Sequence, residues 1–390
     1  MSQHTDLIQR IEEVRGSRVV TYVTGDRKPV GANIGEDALR PLYEHLRAIG
    51  KCETIDLFLY SRGGSVDTPW RIANALRQVS DRWNILIPFR ANSAATLLAL
   101  GADNIVLGQQ GELGPIDPTL NWQQAVPQPG GGYLTVEDSA SVEDVMAYVR
   151  FVQDRVGLSD QTGLATLLAK LTDRLDATTL GNIYRTHAHI RDVAARMLNS
   201  HNEALSPQSK NLIIETLAEK VYAHGHAVGV GEAKEIGLRA EMADPTLDQL
   251  MWDLMGAYEV EMELLSPIDP RTLVGDGLAE NTQIEVVMAA IESTAGSSRF
   301  TGTFEAKGRR TMPQALNVSV NFNVQLADPD EVIDPAQREQ LQQTIAQNVL
   351  GIVGQQAHDA VMNAMRAQAP LVAIDTHMLN ARWTTELAPA

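Results

Sequence analysis

Between Arg18 and Leu107 the apolar positions fall into short blocks whose spacing alternates between continuous runs and helical periodicity. Arg18–Thr24 is β-branched and aromatic and predicts a strand, ended by Gly25 and Asp26. Leu39, Leu42, Leu46 and Ile49 recur at helical spacing within Glu36–Ile49, with Gly50 placed as a C-terminal cap. Ile55–Tyr60 is a short apolar run of the kind buried on both faces of a parallel sheet. Val66–Val79, with Ile72, Ala75, Leu76 and Val79 on one face, predicts the next helix. Asn84–Phe89 then reads as a buried strand, Ala94–Leu100 as a helix of small residues and Ile105–Leu107 as a further strand. This alternation predicts an α/β fold with parallel pairing and right-handed crossovers.

The pattern changes twice further on. Trp122–Tyr133 is rich in Gln, Pro and Gly and predicts a surface loop. A mostly helical stretch follows from about Val142 to Tyr222, broken at Gly157, Gly163, Gly181 and Pro207. Glu232–Ile236 predicts one more helix, and Gly237 lets the chain return to the sheet at Leu238–Glu241. Past Leu265, Ser266-Pro267 and Gly275-Asp276-Gly277 suggest a connector. It is followed by a helix near Gln283–Ile291, a turn at Gly296–Ser298, a half-buried strand with strict alternation at Asn317–Leu326 and a polar helix from Pro335. The expectation is two domains: residues 1–265, and a C-terminal α+β domain, 266–390, whose sequence names no chemistry and suits oligomerisation or partner binding. The phrase Pro-Ile-Asp-Pro occurs at 115 and at 267, without the wider similarity that would make it a repeat.

Composition narrows the function. With 390 residues and 44% hydrophobic content the chain has enough apolar material for one large core and a smaller one. A formal net charge of −17 argues against nucleic acid or an anionic membrane surface as partner, since both require a basic stripe. Cys52 is the single cysteine and allows no intrachain disulfide. The first 18 residues lack the apolar core of a signal peptide, and no apolar run reaches the roughly 18–20 residues of a membrane span. The expected compartment is the cytoplasm.

Three segments carry candidate chemistry. Ile55–Tyr60 runs into Ser61-Arg62-Gly63-Gly64-Ser65, where paired glycines either make a plain tight turn or leave backbone N–H groups free to meet an anionic oxygen. Asn84–Phe89 leads to Ser93 at the start of a helix, either an ordinary N-cap or a nucleophile. Gly108–Pro118, reading GQQGELGPIDP, brings Glu112 and Asp117 to the edge shared by the other two turns. His187-Ala188-His189 and His224-Gly225-His226 are two His-x-His pairs without a carboxylate or thiolate set around them, so no metal is assigned.

The series LFLYSRGGSV, ANSAATLLALGADNIVLG and GELGPIDP, with GEAKEIGL at 231–238, resembles the serine dehydrogenase proteinase family, a Clp-protease and signal-peptide-peptidase-like branch of the crotonase-type fold. The resemblance runs from about residue 17 to about 245. It implies a Clp-protease/crotonase-like core with a parallel sheet and a long helical insertion. Ser93 would be the nucleophile, and the amides of Gly64 and Ala94 the oxyanion hole. Asp117 occupies the slot in which Clp proteases carry the triad histidine, and His224 and His226 fall near the slot of the triad acid. The two roles would then be exchanged, a histidine of the last loop activating Ser93 and Asp117 orienting it. Signal peptide peptidases of this fold use lysine, which keeps Lys170 and Lys220 as alternatives.

The function implied is a serine peptidase that acts on peptide or unfolded protein substrates through an acyl-enzyme, without a cofactor. It would work as a homo-oligomer, with an ATP-driven unfoldase or another protein as a possible partner. A catalytically inactive scaffold acting through the C-terminal domain is the rival reading. Acyl-thioester chemistry on the same oxyanion hole is a third.

Overall fold

The computed structural model of the chain describes residues 2–116, 119–127, 133–172, 175, 177–220, 226–274, 281–310, 334–369 and 371–388. In chain order its elements are α1 (Gln3–Arg15), β1 (Arg18–Thr24), α2 (Leu39–Ile49), β2 (Cys52–Tyr60), α3 (Thr68–Val79), β3 (Ser80–Ile87), β4 (Arg90–Ala91), α4 (Ala94–Ala99), β5 (Asn104–Leu107), β6 (Glu112–Leu113), β7 (Thr119–Pro127) and β8 (Tyr133–Ser141). Then follow α5 (Val142–Arg150), α6 (Gln161–Thr172), α7 (Ala177–Asn199), α8 (Pro207–Glu215), α9 (Val230–Glu235), β9 (Ala240–Met242), α10 (Pro245–Glu261), α11 (Pro270–Val274), β10 (Asn281–Ser293), β11 (Gly296–Arg310), α12 (Pro335–Gln368) and β12 (Leu371–Leu387). Two compact units result: Met1–Ile268 with Val286–Gly302 and Ala381–Ala390, and Asp269–Glu285 with Thr303–Asn380.

The first unit is an α/β layer structure. Its sheet has the order β12-β11-β10-β1-β2-β3-β5-β9. The strands from β1 to β9 are parallel, and β10 joins β1 antiparallel with Val20 opposite Ser293 and Thr24 opposite Ala289. The continuous apolar run of β2 reflects burial on both faces. Leu57 and Leu59 point to the side covered by Leu42, Leu46, Ile72 and Leu76 of α2 and α3, and Phe58 and Tyr60 to the side covered by Leu7, Ile8 and Ile11 of α1 and Leu250, Leu254 and Tyr258 of α10. Helix α10 is additional to the expected elements; Asp244 caps it by accepting from the N–H groups of Thr246 and Leu247 at 2.9 and 3.1 Å. The helical insertion packs back through α7, whose Met197 lies against Gly101 and Trp83 beneath α4.

Two expected elements differ. Gln283–Ile291, read as a helix, lies within strand β10. An apolar run of that length has no periodicity to separate helix from strand, and the antiparallel register with β1 decides it. Trp122–Tyr133 is read as a loop, but Trp122–Pro127 lie in β7 and Tyr133 opens β8, which pair antiparallel from Thr119–Ser141 to Pro127–Tyr133; residues 128–132 lie outside the described residues. The alternating strand expected at Asn317–Leu326 lies outside the described residues. In the second unit, Asn281 Nδ2 and Gln283 Nε2 both donate to Glu305, and Thr303 Oγ1 donates to Glu285.

One buried histidine gives the first unit a pH dependence. His45 of α2 is fully buried, its Nδ1 2.8 Å from Ser293 Oγ and its Nε2 3.1 Å from Ser298 Oγ. Burial pulls its pKa down to about 4; Glu292 and Glu44 oppose that shift and Arg299 adds to it. The unfolded chain takes up this proton near pH 6.5 and the folded chain only near 4, so the contribution is complete above pH 6.5 and is lost as the pH falls through that window, by at most about 3 kcal/mol. Urea unfolding between pH 7.5 and 4.5 is expected to show this loss, and His45→Gln to remove about one proton from the slope. An unchanged slope in His45→Gln would refute the assignment.

Candidate active site

The site is built where β2 and β3 leave the sheet. Ser61 follows β2 directly; its N–H donates to Arg90 O at 3.1 Å and its carbonyl accepts from Asn92 N–H at 3.1 Å, so the two turns are stitched side by side. The Ser61 hydroxyl oxygen accepts from Thr24 Oγ1 at 2.8 Å and from Gly63 N–H at 3.0 Å. The chain then passes through Gly63 at φ +113° and Gly64 at φ +150°. Both conformations favour glycine, and close approach requires it too. A Cβ on Gly63 would lie 2.8 Å from Asn92 O and 2.8 Å from Ser93 Cβ.

Ser93 occupies the N-cap position of α4, with its own backbone at φ +53° and ψ −117° and no side-chain capping hydrogen bond. An ordinary Ser cap has extended φ/ψ and gives its hydroxyl oxygen to the helix amides. Here the main chain holds the corner instead: Ser93 N–H donates to Pro115 O at 3.0 Å and Ser93 O accepts from Leu97 N–H at 3.0 Å. Thr96 Oγ1 lies between two carbonyls of the turn, 2.6 Å from Ala91 O and 2.8 Å from Gly114 O, which share its one hydroxyl proton. Among the described residues the half-buried Ser93 hydroxyl thus makes no hydrogen bond. Among the described residues, the N–H groups of Gly64 and Ala94 likewise have no hydrogen-bond acceptor.

The third segment lies against the second. Gly114 N–H donates to Ala91 O at 2.8 Å, and Leu113 and Val228 exchange backbone hydrogen bonds at 3.0 and 2.8 Å, which brings the end of the last loop to the strip beside Ser93. Glu112 is engaged by Arg90 Nε at 3.1 Å. His226 is exposed and its Nε2 lies 2.9 Å from Glu232 Oε2. Asp117 and His224 lie outside the described residues. Lys170 stands on α6 and has an interaction partner of its own. His189 of α7, read from the sequence only as part of a His-x-His pair, has its Nε2 2.9 Å from Asp67 Oδ1, on the chain that continues from Gly64 into α3. Nothing local in the sequence signals that pair, because its members are 122 residues apart. Among the described residues no group of three or more His, Cys, Asp or Glu side chains is disposed to hold a metal ion.

Asp26, just beyond β1, reaches the same turn. It accepts from Tyr60 Oη at 3.0 Å and from Arg62 Nε at 2.7 Å. Burial and then Asp26 raise the Tyr60 pKa well above its ordinary value. Burial by itself would lower that of Arg62, and the hydrogen bond and charge of Asp26 outweigh it, so the net shift is upward.

Residues 1–147 match the family of ClpP-like SDH-type serine proteinases, so the resemblance read from the motifs is borne out over the segment that carries Gly64 and Ser93. The uncharacterized protein MJ0137 of Methanocaldococcus jannaschii is 25% identical over 259 residues, 65% of this chain and 77% of that one. A second protein of that organism, MJ1495, also described as uncharacterized, is 28% identical over 119 residues, 29% of this chain and 41% of that one. Among solved structures, a variant of the 1510-N membrane-bound stomatin-specific protease is 15% identical, with 54% of this chain and 75% of that one covered and a TM-score of 0.28. ClpP1 from Listeria monocytogenes is 13% identical, with coverage of 62% and 99% and a TM-score of 0.30. Among the described residues no helix is long and apolar enough to cross a membrane.

Proposed function

We propose that the protein is a serine peptidase that hydrolyses peptide or unfolded protein substrates through an acyl-enzyme at Ser93. The observation that carries this reading is the Ser93 corner: a non-glycine residue at φ +53° whose hydroxyl makes no capping bond, set against the Gly63–Gly64 turn. Strain of this kind persists only where surrounding bonds impose it, and it accompanies function. Ser93 Oγ attacks the carbonyl carbon of the scissile amide and gives up its proton. The carbonyl oxygen, now negative, is received by the N–H groups of Gly64 and Ala94, each such donor contributing about 3–4 kcal/mol to the transition state. The amine leaves with a proton, and water then cleaves the ester.

In this reading the proton acceptor is a histidine of the last loop, His224 or His226, with Asp117 orienting it. One observation favours a second assignment, His189 held by Asp67 at 2.9 Å. His224→Ala, His226→Ala and His189→Ala separate them: loss of the acidic limb of the pH–rate profile identifies the base. Assembly into a homo-oligomer, cytoplasmic residence and delivery of substrate by an unfoldase are parts of the same proposal, as is a partner-binding or oligomerising role for residues 266–390.

The direct test is to react the folded protein with a fluorophosphonate probe and map the adduct by mass spectrometry. A single adduct on Ser93, absent after heat denaturation, is expected. A folded protein that takes up no probe would favour the catalytically inactive scaffold.

A further inference from the structure

The loop from Gly25 to Ile34 supplies no group to the chemistry proposed above, yet it is bonded to the Gly63–Gly64 turn at both of its ends. At its start, the Asp26 carboxylate holds Tyr60 Oη at 3.0 Å and Arg62 Nε at 2.7 Å, the two residues that flank Ser61. At its finish, Ile34 N–H donates to Gly63 O at 2.8 Å and Ser65 N–H donates to Ile34 O at 2.9 Å, so the backbone of Gly64 is bracketed by two hydrogen bonds to one residue. Just before the loop, at the end of β1, Thr24 Oγ1 donates to Ser61 Oγ at 2.8 Å, and that oxygen receives the Gly63 N–H at 3.0 Å. The Gly63 N–H, the Gly63 carbonyl and the Ser65 N–H are thus each directed into a bond, while among the described residues the Gly64 N–H between them has no acceptor. An oxyanion donor is effective when it is held in place before the charge develops.

We infer that the 25–34 loop is a brace that sets the direction of the Gly64 amide, with Asp26 as the positioning residue that acts on it through Arg62; the inference rests on the peptidase reading of Ser93. The ion pair is suited to orientation more than to stability. The Arg62 side chain is 46% exposed, and ion pairs in such surroundings contribute little to folding. A small displacement of a catalytic dipole, by contrast, changes rates strongly.

The experiment measures the rate constant and the amplitude of fluorophosphonate labelling at Ser93 in the full chain. Asp26→Asn keeps an oxygen for Tyr60 Oη and removes the acceptor for Arg62. It is expected to lower the labelling rate constant by about tenfold or more with the amplitude and probe affinity unchanged, because a misplacement of about 1 Å is enough for such a loss. Arg62→Gln should lose about as much, and the double variant no more than either single one, since both act through one contact. Tyr60→Phe should leave the rate constant near that of the wild type. A structural role alone would lower the amplitude and leave the rate constant of the remaining sites intact.

A wild-type rate constant in Asp26→Asn, or losses that multiply in the double variant, would overturn the brace while leaving the nucleophile standing. If Asp26→Asn does not fold, Arg62→Gln decides by the same two readings. A wild-type protein that is not labelled at Ser93 would remove the peptidase reading and the brace with it.

Discussion

Ser93→Ala is expected to lower peptide hydrolysis by about 10⁶-fold, the size of loss seen when the nucleophile of a serine peptidase is removed and only binding and the oxyanion hole remain. The fold should survive, because the corner is held by main-chain bonds: Ser93 N–H to Pro115 O, Leu97 N–H to Ser93 O, and the Thr96 hydroxyl to Ala91 O and Gly114 O. A second variant separates chemistry from strain. At φ +53° and ψ −117° any side chain is unfavourable, so Ser93→Gly should be as inactive as Ser93→Ala and more stable by about 1 kcal/mol. Turnover of an unfolded protein substrate and the thermal midpoint of both variants check this. Retained hydrolysis in Ser93→Ala would identify another nucleophile or acyl-thioester-type chemistry, and a less stable Ser93→Gly would show that the corner stores no strain.

Gly64→Ala should affect rate and stability together. The added Cβ would lie 2.6 Å from Ile34 N and 3.0 Å from Ile34 C, with Ile34 O nearer still, and φ is +150°. These neighbours are backbone atoms bonded on both sides of Gly64, so the turn itself must move. Displacing one oxyanion donor is expected to reduce the turnover number by about 10²–10³-fold, and the clash with the positive φ to destabilise by about 3 kcal/mol. The substrate KM should change little, because the donor acts on charge that develops only in the transition state. Chemical denaturation and steady-state kinetics on the folded fraction report the two effects separately. A variant with full turnover would place the oxyanion elsewhere than at Gly64.

The local features of the site are legible in the order of residues. A buried run such as Ile55–Tyr60, followed two residues later by paired glycines and then a helical pattern, encodes a strand, a turn open to close approach and a helix within a few positions. The same holds for Asn84–Phe89 leading to Ser93. Because both units repeat strand, turn and helix in a parallel sheet, their turns share one edge, and the bond from Asn92 N–H to Ser61 O is the realised form of that expectation.

Local residue order is therefore enough for the parallel α/β core, the two turns and the serine at the second of them. The tertiary structure decided which bonds each side chain spends: that Ser93 caps with its main chain and leaves its hydroxyl free, that His226 is held by Glu232, that Asp67 meets His189, and that Gln283–Ile291 is a strand beside β1. It also decided that Asp26 clasps Arg62 across 36 residues and that Ile34 closes on Gly64. The physical reason is one of range. Backbone preference and burial periodicity are written within a few neighbours, whereas an ion pair or a strand register depends on which distant segments the folded core brings into contact.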